Sequence, residues 1–164
     1  MTKRLFFAAM ILAASAGQAA AHIMITPPSA QPGQIVETQV VVGHGCSGAA
    51  TTALTLQVPA GVGMVHVMET PGWTAKTDKT GDVTRAVTWS ANDPKGATTS
   101  QSFMMHMEMP KQPGRIVLPA LQTCGAVTVS WDDSSKERPA PSINVGGPAA
   151  PAMDMSHMDH GEHH

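Results

Sequence analysis

Short alternating runs of β-forming residues, cut at intervals by proline and glycine, shape the body of this chain. The runs are Val36 to Val42, Thr52 to Val58, Ala86 to Trp89, Phe103 to Met109, Ile116 to Leu118 and Val127 to Trp131. Turn-forming stretches separate them: Gln31-Pro32-Gly33, Pro59-Ala60-Gly61, Pro71-Gly72, Asn92-Asp93-Pro94 and Gln112-Pro113-Gly114. Such spacing predicts an all-β sandwich or barrel. No amphipathic helical period is visible in the body of the chain. The alternation is clearest from Phe103 to Met109. Phe103, Met105, Met107 and Met109 share one face, and Met104, His106 and Glu108 share the other. The first set is assigned to the core, because methionine is an adaptable core filler.

The first residues follow a different logic. Lys3 and Arg4 precede an apolar run from Leu5 to Ala14, and small residues close it up to Ala21. This is the order of a secretory signal peptide, and the apolar run is too short for a permanent membrane span. Ala19 and Ala21 supply the small residues needed at −3 and −1, so the expected cut frees His22. A cut after Ala19, with Gly17 at −3, is the alternative. Removing residues 1–21 takes away two basic residues of ten and none of the twelve acids. Eight against twelve leaves a net charge of −4 with histidine neutral. That acidity argues against nucleic acid, which needs a basic face. No later apolar stretch is long enough for a membrane span, so no anchor is expected after signal removal. The expected location is periplasmic or secreted.

Cys46 and Cys124 are the only cysteines. In an oxidising compartment an even count favours a disulfide, and two free thiols in a metal site is the rival reading. A closed loop of this length stabilises by roughly 4–5 kcal/mol in the chain-entropy model.

Composition shifts near Asn144. Residues 1–21 are therefore assigned to the signal, 22–143 to the sandwich domain and 144–164 to a flexible tail. The tail holds Met153, Met155, His157, Met158, His160, His163 and His164. It lacks the residues for a core, and its thioethers and imidazoles make it a weak copper or nickel binder.

A freed N-terminal His22 offers two nitrogens from one residue, the α-amine and ring Nδ1, which close a chelate ring on a metal. The reference amine pKa is only about 8, so a metal displaces its proton near neutrality. Planar nitrogen donors completed by oxygen favour Cu(II). The plain alternative is a solvated terminus with no ligand role.

The next segments bear a family resemblance. His22-Ile23-Met24-Ile25-Thr26-Pro27-Pro28 through Gly33, then Val36-Glu37-Thr38, resembles the start of the YcnI-like family, also called DUF1775. Thr51-Thr52-Ala53-Leu54 to Pro59-Ala60-Gly61-Val62, Pro71-Gly72-Trp73, Val87-Thr88-Trp89-Ser90, and Leu118-Pro119-Ala120-Leu121-Gln122-Thr123-Cys124 through Trp131 continue it in order. His44-Gly45-Cys46 and Gln122-Thr123-Cys124 resemble the branch with paired cysteines. The resemblance implies an immunoglobulin-like β-sandwich with one disulfide. It also implies Cu(II) held by a single-histidine brace, with His22 and Glu37 as ligands and Trp131 beside the metal. Apart from the resemblance, Glu37 reads as the solvent face of an edge strand and Trp131 as core.

Three other histidines stand in informative places. His44 adjoins Cys46 in a glycine-rich loop, where it either lines the metal site or caps a turn. Met64, His66 and Met68 share a face if they lie on a strand, which gives soft Cu(I)-type donors or a plain structural face. His106 has the same two readings.

The expected function is copper trafficking or homeostasis with a periplasmic copper donor or acceptor, and no enzymatic activity. The competing classes are a copper oxidase or mono-oxygenase and a structural sandwich with incidental metal binding. The mono-oxygenase brace needs a second histidine, and this chain has no tyrosine and few aromatics to stack on sugar.

Overall fold

The computed structural model describes residues 22–146, which form twelve strands and no helix. The strands are β1 (Ile23–Thr26), β2 (Ser29–Ala30), β3 (Ile35–Val42), β4 (Ala53–Gln57), β5 (Val65–Val67) and β6 (Trp73–Thr80). They continue as β7 (Val83–Ala91), β8 (Gln101–Glu108), β9 (Gly114–Val117), β10 (Ala120–Cys124), β11 (Val127–Trp131) and β12 (Ser142–Val145). One sheet has the order β1-β3-β8-β5, a second β11-β10-β4-β7-β6, and a small third β2-β12-β9.

Alternation decides which side chains meet. Val36, Val40 and Val42 of β3 and Phe103, Met105 and Met107 of β8 are buried, as are Leu54 and Leu56 of β4 and Val87 and Trp89 of β7. The two larger sheets therefore face one another across a shared core. Trp89 stacks on Phe103 with ring centroids 4.9 Å apart, and Trp73 meets the same ring edge-on, also at 4.9 Å. Each large side chain so buried contributes about 1.5–3 kcal/mol. Thr38 is the polar exception on β3. Its hydroxyl donates to the Met105 carbonyl at 2.9 Å, which offsets its desolvation. The methionine stripe of β8 faces the core as expected, with Met105 and Met107 fully buried.

β6 was not visible as an alternating run, and its placement explains why. It pairs only with β7, at the edge of its sheet, and nearly all of it from Thr74 to Thr80 is exposed. Lys76, Asp78 and Lys79 on that edge discourage pairing with another chain. The Pro71-Gly72 turn before it needs a left-handed residue, and Gly72 supplies φ +79°.

Cys46 and Cys124 are joined, with Cα atoms 5.8 Å apart. Cys46 lies in the loop leaving β3 and Cys124 ends β10, so the bond ties the two larger sheets together. The rival two-thiol reading is set aside by this bond. β12 pairs with both β2 and β9, and Val145 is buried. The folded body thus runs through Val145, two residues past the boundary drawn from composition. Residues 1–21 and 147–164, which carry the signal segment and the tail donors from Met153 to His164, lie outside the described residues. No helix among the described residues is long and apolar enough to cross a membrane.

Candidate metal centre

β1 fixes the place of His22. Ile23 and Ile25 are buried, and the register sets Ile23 against Val42 and Thr26 against Gln39. One step outward, His22 lies opposite Gly43, and a Cβ on Gly43 would stand 4.0 Å from the His22 carbonyl oxygen. His22 itself is exposed. The strand therefore holds the chain rigidly up to the residue whose amine the expected cleavage would free.

The segment Gly43-His44-Gly45 turns away from β3 at this same end. His44 Nδ1 lies 2.8 Å from the Gly45 carbonyl oxygen. A carbonyl only accepts, so Nδ1 carries the proton in the neutral ring and Nε2 carries the lone pair. Fixing a histidine tautomer through a backbone carbonyl is a common arrangement for metal ligands. Gly45 is required here by close approach, since a Cβ would fall 1.7 Å from the Ala49 carbonyl oxygen.

Behind this loop stands Gln122 of β10, which is almost fully buried. Its Nε2 donates to the His44 carbonyl and to Thr51 Oγ1, each at 2.8 Å. Its Oε1 accepts from Trp131 Nε1 at 3.2 Å. All hydrogen-bonding capacity of the amide nitrogen is used, so the glutamine ties the His44 loop to Trp131. Sequence reasoning missed Gln122, because β10 turns its leucine outward and its glutamine inward: Leu121 is exposed and Gln122 is buried.

Glu37 is elsewhere. It lies six residues before Gly43, roughly 20 Å along a strand that rises about 3.3 Å per residue. The register thus puts His22 beside the turn that carries His44 and sets Glu37 toward the other end of β3, while Trp131 reaches the His44 loop only through Gln122. The reason is topological. β1 runs antiparallel to β3, so its first residue must meet the last residues of β3 and not the early ones.

At that far end Glu37 faces His106 of β8, with Oε2 3.3 Å from Nε2. On the other side of His106 stands His66 of β5, directly in register. The two rings are near parallel, with centroids 6.3 Å apart. Their cross-strand pairing was missed because the sequence displays each alternating run but not the register between them. Among the described residues, no three His, Cys, Asp or Glu side chains gather closely enough to hold a metal ion. Asp132, next to Trp131, is an exposed carboxylate held down to about 2. Its causes are a side-chain hydrogen bond from Ser134, then one from Ser130, then the Ser134 backbone N–H.

A family model described as "Domain of unknown function (DUF1775)" matches residues 22–145. Among solved structures, the chain is similar to an uncharacterized protein from Nocardia farcinica described as having an immunoglobulin-like fold. That match has 27% identity and a TM-score of 0.65, and covers 76% of this chain and 97% of that one. A cohesin–dockerin complex from Clostridium thermocellum matches at 15% identity and a TM-score of 0.43, over 76% of this chain and 97% of that one. No curated protein matches the chain.

Proposed function

This chain belongs to the DUF1775 family, and on that premise we propose that it is an exported copper-binding protein whose metal is anchored by His22. The observation that carries the reading is where the family match begins. The family match starts at residue 22 and β1 starts at Ile23, immediately after the small residues that a signal peptidase would recognise. Cleavage there leaves an amine and an imidazole on one exposed residue at the head of an anchored strand.

The donors at this end fit Cu(II) in part. The His22 amine and Nδ1 provide a chelate, and His44 Nε2 is the third nitrogen that the loop brings to the same end. Nitrogen-rich, planar donor sets favour Cu(II). The carboxylate implied by the resemblance is not supplied by Glu37. Trp131 serves indirectly, through Gln122, by fixing the backbone of His44. The disulfide beside His44 suits an oxidising compartment.

Holding copper, received from a donor protein or passed to an acceptor, fits better than oxidation of a polysaccharide. Trp73, Trp89, Trp131 and Phe103 are all buried, so no tryptophan or phenylalanine among the described residues presents a face for sugar. The test is N-terminal sequencing of the exported protein, followed by Cu(II) electron paramagnetic resonance on a chain ending at Gly146. The expected result is a mature terminus at His22 and a nitrogen-split signal that His22→Ala abolishes and His44→Gln alters. A different terminus, or a signal unchanged by His22→Ala, overturns the proposal. Peroxide release by the reduced, copper-loaded protein would favour the oxidase instead.

A further inference from the structure

The outer face of the four-stranded sheet carries a second group of metal donors, remote from His22. Met105 and Met107 of β8 face the core with no exposed surface, so Met104, His106 and Glu108 face outward. β5 pairs only with β8, at the sheet edge, and its register places His66 directly opposite His106. One step along, the Met68 N–H donates to the Met104 carbonyl at 3.0 Å, which sets these two methionines opposite each other. One step the other way, the Glu108 N–H donates to the Met64 carbonyl at 2.9 Å. The result is a small grid: a histidine pair, a methionine pair on one flank, and Met64 with Glu108 on the other.

Spacing makes this grid usable. Directly opposed residues on antiparallel strands have Cβ atoms about 4.5–5.5 Å apart, and diagonal neighbours lie about 7–8 Å apart, within reach of long side chains. The His66 and His106 rings stand near parallel, with centroids 6.3 Å apart. Glu37 completes the arrangement from the opposite side. Its Oε2 accepts from His106 Nε2 at 3.3 Å, and an ionised carboxylate only accepts, so the neutral ring keeps its lone pair on Nδ1. A carboxylate holding the far nitrogen of a ligating histidine is the usual support for such a ligand.

We propose that His66 and His106, with a thioether from Met68 or Met104, form a site for a soft monovalent metal ion of the Cu(I) class, and that Glu37 positions His106. Thioether sulfur selects soft ions, whereas Zn(II) and Cu(II) favour sets richer in nitrogen, oxygen or thiolate. The edge position of β5 leaves the site open to solvent and to a partner. Glu37 thus takes a place beside a metal, but as the support of another ligand and not as the companion of His22. The site uses none of the residues at the His22 end, so either can fail without the other.

The test uses the exported, full-length mature chain with Ag(I), a redox-inert stand-in for Cu(I). Resonances are followed for the histidine ring nitrogens and the methionine methyl groups. One equivalent is expected to shift His66, His106 and at least one of Met68 and Met104. Glu37→Gln is expected to weaken binding at these resonances about tenfold, with the fold intact. Ag(I) that moves only tail or His22 resonances overturns the proposal. Ring shifts without a shift at Met68 or Met104 overturn the assignment of a thioether donor.

Discussion

Trp131 Nε1 donates to Gln122 Oε1 at 3.2 Å, while the same amide's nitrogen holds the His44 carbonyl and Thr51 Oγ1. One buried side chain therefore joins two strands of the second sheet to the loop that leaves the first. Replacing it orphans three groups at once. Each buried polar group left unpaired costs about 1–3 kcal/mol, partly recovered where water enters. Gln122→Leu is expected to destabilise by about 3 kcal/mol in urea unfolding and to shift the His44 resonances. An unchanged His44 environment would show that the loop holds itself without the glutamine.

The Cys46–Cys124 bond closes a loop spanning 78 positions. In the chain-entropy model a loop of this length contributes roughly 4–5 kcal/mol, acting on the unfolded chain. Reduction of the native protein, or the paired Cys46→Ala and Cys124→Ala replacement, is expected to lower the urea midpoint sharply. The slope of the transition reports whether the folded body stays intact, because it scales with the surface exposed on unfolding.

How far these features could be foreseen depends on whether they live on one strand or between two. The inward methionines of β8 and the outward His106 are properties of one strand, and the alternation from Phe103 to Met109 displayed them. Cys46 and Cys124 could be paired because there were only two. The placement of Glu37 needed a register. Its outward direction was legible, but its cross-strand neighbour is His106, 69 residues later in the chain, with His66 one strand further on. The separation from His22 was legible in principle, since two antiparallel strands joined by a short connection put the first residue of one against the last of the other. The resemblance implies a shared site, whereas the register of β1 and β3 sets Glu37 well along the strand from His22. β6 escaped notice for a different reason: an exposed edge strand has no buried face to imprint an alternating pattern on its sequence.

Glycine in the His44 loop is a steric requirement. A Cβ at position 45 would lie 1.7 Å from the Ala49 carbonyl oxygen and 2.8 Å from its carbon, and both are backbone atoms. Gly45→Ala must open the loop, which displaces His44 and Cys46 together. The expected cost is more than about 2 kcal/mol, within the range seen for overpacking. Gly63→Ala is the contrasting case. Its Cβ would meet the Glu108 carboxylate, with Oε2 2.5 Å and Cδ 2.9 Å away, which can swing aside, and Glu108 Cβ at 3.1 Å, which need give only slightly. It is expected to cost less than about 1 kcal/mol, measured in the same unfolding assay. Equal losses in the two variants would contradict the steric argument.

Asp132 provides a test by titration. Its carboxyl is lowered from 3.8 to about 2 by the Ser134 side chain first, then by Ser130 and by the Ser134 backbone N–H, against a small opposing effect of burial. Ser130 Oγ lies 2.7 Å from Oδ2, and the Ser134 N–H lies 3.0 Å from Oδ1. These donors favour the charged form, so the folded value falls below the unfolded one. The stabilisation is present above the ordinary carboxylate value and fades as pH falls through about 2. The group is exposed, and solvent screening makes its effect on unfolding small. The carboxyl carbon resonance is therefore the better readout. Its midpoint is expected near 2 in the native protein. It should rise toward 3.8 in Ser134→Ala and by a smaller step in Ser130→Ala. A native midpoint already at 3.8 would mean that the two serines do not hold the carboxylate in solution.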